Sequence, residues 1–124
     1  MDTSMKMRPP GHVHSDERGH LVPLELDTVP FEARRVFVVQ GPDHRVTRGG
    51  HQAGSHQVLL LVAGRAELRV RALDGSMRSE KLVAGESVEL EATDWIDYDL
   101  VEPHSVLLVI ASEPYSMARE GAVR

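Results

Sequence analysis

Short apolar or alternating runs, each closed by a turn signal, recur along the whole chain and set its expected architecture. Residues 66–72 alternate most cleanly. Ala66, Leu68, Val70 and Ala72 fall on one face and Glu67, Arg69 and Arg71 on the other, the period of a strand with one wet side. Residues 56–63 and 106–111 are nearly continuous apolar runs, as expected of central strands. Further strands are predicted over residues 34–40, 44–48, 77–83, 87–91 and 95–101, and over 21–26, where Pro23 marks an edge or irregular strand. Asp74-Gly75 is a hairpin signal. Gly41-Pro42-Asp43, Gly64-Arg65, Ala84-Gly85-Glu86 and Glu102-Pro103-His104 read as turns. Gly49-Gly50 and Ala53-Gly54-Ser55 are expected to break the chain ahead of the central strand. From Pro114 on, a short strand and a helical turn fit equally. No long stretch repeats apolar residues at helical spacing. The pattern is that of an all-β fold with about nine or ten short strands. A closed antiparallel barrel or jelly roll suits it best, because closure hides the edges of many short strands.

Length and composition narrow the partners. A chain of 124 residues is expected to form one domain over 1–124, with residues 1–12 loose. Net charge is −5 and the basic residues are scattered without a stripe, so nucleic acid is not an expected partner. A few well-placed arginines still suffice to hold one phosphate group. There is no cysteine, which removes disulfides, thiolate metal sites and thiol catalysis. Residues 1–10 are polar and lack the apolar core of a leader, and the longest apolar run is far short of a membrane span. A cytoplasmic protein without a membrane partner is expected.

Seven histidines are the main candidate chemistry. His12, His14, His20, His44 and His104 lie in polar or turn segments and are expected to be solvated. His51 and His56 flank the glycine-rich break. His51 follows Arg48-Gly49-Gly50, where small residues let a ligand approach the backbone. An arginine beside a histidine can hold an anion while the imidazole moves a proton; equally, the glycines form a plain turn and His51 points to water. His51 and His56 are five apart rather than in the His-x-His spacing that places two metal ligands on one strand face, and no Glu lies between them, so no metal is expected there; no cofactor is expected either. Ser55 and His56 are adjacent and would face opposite ways on a strand, which argues against a nucleophilic serine.

Five segments, in consistent order over roughly residues 14–120, are similar to the 3,4-ketoisomerases of TDP-4-keto-6-deoxyglucose. They are DERGHLVPLE at 16–25, PFEARRVF at 30–37, RGGH at 48–51, QVLLLVAG at 57–64 and VLLVIAS at 106–112, with Tyr115 close behind. The third resembles the start of the family's R-G-x-H-A-H-K motif. The resemblance implies a cupin-type double-stranded β-helix, a homodimer that exchanges an N-terminal strand, no metal, and a nucleotide-linked keto sugar whose carbonyl moves from C4 to C3 through an enediolate. His51 aligns with the first motif histidine and is the expected acid/base, with His56 and Tyr98 as further catalytic candidates. Arg35 and Arg48 would hold the diphosphate or steady negative charge, although each is equally suited to a structural ion pair. Phe37, Gln57 and Trp95 complete the expected binding set.

The chain also departs from that pattern. Gln52, Ala53, Gly54 and Ser55 follow His51 where the family has its second histidine. Phe37 stands where members often have tyrosine, and Trp95-Ile96 stands for a Trp-His pair. These changes keep two alternatives open: a cyclase or isomerase of a natural-product intermediate on the same barrel, and a binding cupin without catalysis.

Overall fold

The computed structural model describes residues 13–115. A small hairpin pairs β1 (His14–Asp16) with β2 (Gly19–Leu21), and a 3-10 turn follows at Leu26–Thr28. The remaining strands are β3 (Arg35–Gln40), β4 (Val46–Gln52), β5 (Gln57–Ala63), β6 (Arg65–Arg71), β7 (Met77–Val83), β8 (Ser87–Leu90), β9 (Trp95–Leu100) and β10 (Val106–Ala111). They form two four-stranded antiparallel sheets, ordered β3-β10-β5-β8 and β4-β9-β6-β7. The chain crosses between the sheets repeatedly, which is the jelly-roll arrangement expected of the cupin barrel.

Strand alternation decides what fills the barrel. Leu59, Leu61, Val88, Leu90, Leu107 and Val109 point inward from the first sheet, and Ala66, Leu68, Val70, Leu82, Ile96, Tyr98 and Leu100 from the second. Leu61 pairs with Leu107, and Ala66 with Leu100. These apolar layers plug one end of the barrel, while the end carrying Gln57, Ile96 and Val109 stays open. A second apolar cluster lies outside the first sheet, where Val29 packs on Val58 and Ile110 with help from Leu24, Phe31 and Ala33. Further along that outer face Val36 and Val38 remain 57 % and 59 % exposed.

Two sequence expectations need correction at the entrance to the barrel. Residues 21–26 are not one strand; Leu21 ends β2, and the segment beyond Pro23 is irregular before the 3-10 turn. Pro23 cannot donate to a ladder, and Leu24 is instead used to cover the outer cluster. The third long strand does not stop at residue 48 either. It begins at Val46 and runs through both glycines to Gln52. The expected loose segment 1–12 and the tail beyond residue 115 lie outside the described residues.

Gly49 and Gly50 are a bulge rather than a break. β4 pairs Arg48 with Tyr98 and Gly49 with Asp97, then slips so that His51 meets Ile96. Gly50 is the extra residue, and both glycines have φ near +90° (88° and 87°). Strand parity normally sends residues three apart to opposite faces. One inserted residue cancels that, so Arg48 and His51 lie opposite the inward-facing Tyr98 and Ile96 on the same side of the sheet. A Cβ on Gly49 would lie 2.8 Å from the Ile96 carbonyl oxygen, whereas one on Gly50 meets nothing within 4 Å.

The outer face of the second sheet is laced by charge. The Asp99 carboxylate accepts from Thr47 Oγ1 at 2.7 Å, Arg69 Nη2 at 2.8 Å and Arg45 Nη2 at 2.6 Å. Arg69 Nε also donates to Asp97 at 2.6 Å. Those donors, the Thr47 hydroxyl first and then the two guanidinium groups, hold the Asp99 carboxyl far below the usual carboxylate range.

Two outcomes follow from this architecture. Asp99→Asn should lose about 1.5–3 kcal/mol of stability at neutral pH. Because the Asp99 pKa is depressed on folding, its contribution is complete above about pH 5 and fades as pH falls below the unfolded value of about 3.9. Melting curves from pH 7 to pH 2 should therefore show the variant and parent converging in acid. Gly49→Ala should cost about 1–3 kcal/mol from strain and collision with Ile96, and chemical denaturation should show it clearly worse than Gly50→Ala.

Candidate active site

A cavity of about 250 Å³ opens between the sheets at the unplugged end. Arg48 and His51 of β4 and Ile96 and Tyr98 of β9 form one wall; Phe37 and Val39 of β3, Gln57 and Leu59 of β5, and Val109 of β10 form the other. Arg35 and Tyr115 lie at its rim, and Ala53 lines it just beyond β4. Six residues expected to serve the site are thus brought together: Arg35, Phe37, Arg48, His51, Gln57 and Tyr98.

Local bonds prepare several of them. The half-buried His51 ring places Nδ1 2.7 Å from the Gln52 carbonyl oxygen. A carbonyl only accepts, so Nδ1 carries a hydrogen, which leaves Nε2 as the nitrogen that can take up or release a proton. Tyr98 is buried, and burial raises its hydroxyl pKa although a hydrogen bond from the Arg48 side chain works in the opposite direction. It therefore remains a neutral O–H donor with a cation fixed beside it. Gln57 Nε2 donates to the Ala53 carbonyl at 3.1 Å, tying the end of β4 to the start of β5. The Arg35 guanidinium carbon sits 4.4 Å from the Phe37 ring centroid and 4.9 Å from that of Tyr115, a cation stacked on two aromatic faces.

Two expected residues lie outside the cavity. His56 precedes Gln57 and faces the opposite way. It is packed on Phe31 with ring centroids 4.6 Å apart and hydrogen-bonded through Nε2 to Glu89. With Glu91 these make a three-residue grouping of potential metal-ligating side chains, on the outer side of the first sheet and away from the cavity. Trp95 is the outward neighbour of Ile96 and stacks with Arg71, whose guanidinium carbon is 5.1 Å from its ring. Both outcomes follow from strand parity: neighbours of inward-facing Gln57 and Ile96 must face out.

Sequence reasoning did not mark Val39, Leu59 and Val109 as lining residues. Their signal was available in alternation, since Val39 shares the parity of Phe37 and Leu59 that of Gln57. The histidines expected to be solvated at positions 14, 20, 44 and 104 are exposed, and His12 lies outside the described residues.

The departures from the family motif now have places. Of the stretch Gln52 to Ser55, where the resemblance leads one to expect a second histidine, Ala53 lines the cavity and presents only a methyl group to it. Ile96 is the direct cross-strand partner of His51, so the imidazole lies beside an aliphatic group at the position where the resemblance leads one to expect the histidine of a Trp-His pair. Among the described residues no helix is long and apolar enough to cross a membrane.

Solved structures share this fold. The sugar 3,4-ketoisomerase QdtA from Thermoanaerobacterium thermosaccharolyticum, in complex with TDP, is 27 % identical with a TM-score of 0.73, over 92 % of this chain and 85 % of that one. QdtA has also been crystallised, as a mutant, with TDP-4-keto-6-deoxyglucose. A 3,4-ketoisomerase from Helicobacter canadensis is 26 % identical with a TM-score of 0.71, over 89 % and 84 % of the two chains. The TDP-quinovose 3,4-ketoisomerase WlaRB from Campylobacter jejuni is 25 % identical with a TM-score of 0.72, over 89 % and 86 %. No curated protein matches the chain. The family model described as FdtA, WxcM-like C-terminal, matches residues 5–119. With nearly the whole chain matched, the protein belongs to the WxcM-like C-terminal family.

Proposed function

We propose that the protein isomerises a TDP-linked 4-keto-6-deoxy sugar, moving the carbonyl from C4 to C3. The observation that carries this reading is the convergence of Arg48, His51 and Tyr98 on one cavity wall, with an imidazole whose Nε2 is left to exchange a proton. His51 Nε2 takes the C3 hydrogen as a proton, and the electron pair of that C–H bond becomes the C3–C4 double bond of an enediolate. The Tyr98 hydroxyl, next to the Arg48 cation, stabilises the charge that develops on the C4 oxygen. A proton then adds to C4 while the C3 hydroxyl gives up its own, leaving the carbonyl at C3. The stacked Arg35 at the rim is suited to the diphosphate, and the sugar alone enters the barrel.

The exposed apolar row on β3 supports a homodimer. Val36 and Val38 continue the covered face formed by Ile110, Val58, Leu108 and Leu60, and β3 is an edge strand open to an exchanged strand of a second copy.

A second reading, a cyclase or isomerase of a natural-product intermediate, draws on Phe37, Ala53 and Ile96, which make the cavity more apolar than the family motif predicts. A binding cupin without turnover is the third.

Thermal unfolding with TDP separates them first. At 100 times its dissociation constant a ligand that binds only the folded state adds about 2.7 kcal/mol, a shift of several degrees in a domain of this size. Such a shift is expected; its absence at millimolar TDP would favour the second reading. With TDP-4-keto-6-deoxyglucose, His51→Ala should lose about 10²- to 10⁴-fold in turnover while still binding TDP, and undiminished turnover would remove His51 as the base. For the dimer, light scattering should give twice the chain mass for the parent and the monomer mass for a Val36→Glu, Val38→Glu double variant.

A further inference from the structure

Away from the cavity, the edge of the first sheet gathers three side chains able to ligate a metal. β8 is an edge strand of that sheet and pairs with β5. Their ladder closes at the pair Gln57–Leu90, and Glu89 stands opposite Val58. His56 and Glu91 are the next residues beyond that last pair, one from each strand. Gln57 and Leu90 face into the barrel, so parity turns His56, Glu89 and Glu91 to the outer side. One nitrogen of His56 and one oxygen from each carboxylate all lie within 4.8 Å of one another.

The imidazole is held in place before any ion arrives. Ser112 grips its backbone twice: the His56 N–H donates to Ser112 Oγ at 3.2 Å, and the Ser112 N–H donates to the His56 carbonyl at 2.9 Å. The Phe31 ring packs on the imidazole with centroids 4.6 Å apart, and Nε2 is turned to the Glu89 carboxylate. A ligand whose rotamer is already locked loses little freedom on binding. Charge at this place is unbalanced. Among the described residues no lysine or arginine pairs with Glu89 or Glu91, and His56 is the partner of Glu89. Two carboxylates beside one imidazole leave at least one negative charge uncompensated, whichever protonation state the ring takes.

We propose that His56, Glu89 and Glu91 bind one divalent cation of the zinc class on the outer face of the first sheet. The site is separate from the cavity and does not rest on the isomerase reading. One nitrogen and two oxygen donors suit a four-coordinate Zn²⁺ whose fourth ligand is water. Zinc takes such donors at about 2.0–2.2 Å, which a tetrahedron sets about 3.4 Å apart. Glu91 is exposed and Glu89 half-buried, so both carboxylates have room to close around the fixed imidazole. The cation enters between His56 and Glu89, and Nε2 gives it a lone pair; a hydrogen carried on Nε2 passes to Nδ1 or to solvent. The nitrogen donor selects against Mg²⁺ and Ca²⁺, which favour oxygen. Bound there, the ion ties β8, a strand of four residues, to the start of β5, one residue before Gln57 enters the cavity.

The test uses the full chain without an affinity tag, stripped with EDTA and titrated calorimetrically with zinc chloride. One zinc per chain is expected, and at about 100 times the dissociation constant the melting temperature should rise by several degrees. Glu91→Gln keeps the size of an exposed side chain and should weaken binding by more than the roughly 10- to 100-fold that an outer-shell partner of a metal site is worth. His56→Ala should do the same. That variant also loses packing on Phe31, so each variant is melted with and without zinc, and the zinc-dependent rise should vanish in both. His51→Ala and His14→Ala should keep the rise. The second control covers His12-Val13-His14, whose spacing could hold zinc elsewhere. No uptake at submillimolar zinc would overturn the proposal. Binding that survives Glu91→Gln, or that disappears with His51→Ala or His14→Ala, would place the ion elsewhere and overturn it too. Equal binding of Mg²⁺ and Ca²⁺ would reduce the grouping to an acidic patch and refute a site built on the imidazole.

Discussion

One inserted residue, Gly50, sets the arrangement on which the site depends. Without the slip between β4 and β9, Arg48 and His51 would point to opposite sides of a sheet, one into the barrel and one into water. The slip requires backbone at φ near +90° on two successive residues, and the first of them lies too close to the Ile96 carbonyl to tolerate a side chain. The glycine pair is thus what converts a strand into a platform for two neighbouring polar groups. Everything at the cavity wall inherits its position from that register: Tyr98 across from Arg48, and Ile96 across from His51.

The remainder of the fold keeps this wall steady from behind. β9, the central partner of β4, presents Ile96 and Tyr98 inward and Asp97 and Asp99 outward. The outward carboxylates bind Thr47, Arg45 and Arg69, which come from the flanking strands β4 and β6 and from the turn before β4. Three strands are therefore joined side chain to side chain on the wet face, while the dry face carries the reacting groups. On the other sheet, the part of the outer surface around Val58 and Ile110 is apolar and packed under residues 24–33. The two sheets are stabilised by different physics.

Much of this was legible in the residues. Alternation at 66–72 and the apolar runs of β5 and β10 gave the strands and their faces, since period-two patterning maps directly onto a two-sided sheet. Parity also explains why Gln57 enters the cavity and His56 does not. The bulge was not legible, because two glycines between strand-like segments look the same whether they turn the chain or kink it within a ladder; only pairing with β9 distinguishes them. The small hairpin at residues 14–21 was missed because its strands are three residues long and fully exposed, so no burial pattern marks them. Arg35 was legible as a charge near the site but not as a stacked one, since its contact with Tyr115 spans the length of the chain.

That stacking changes what the rim costs a ligand. A free arginine gives up about 1.5–2 kcal/mol of rotamer freedom when it is fixed. Between the rings of Phe37 and Tyr115, Arg35 has already surrendered much of this during folding. An arriving anion meets a cation that no longer has to be frozen in place, and the entropy of the encounter falls on the ligand alone.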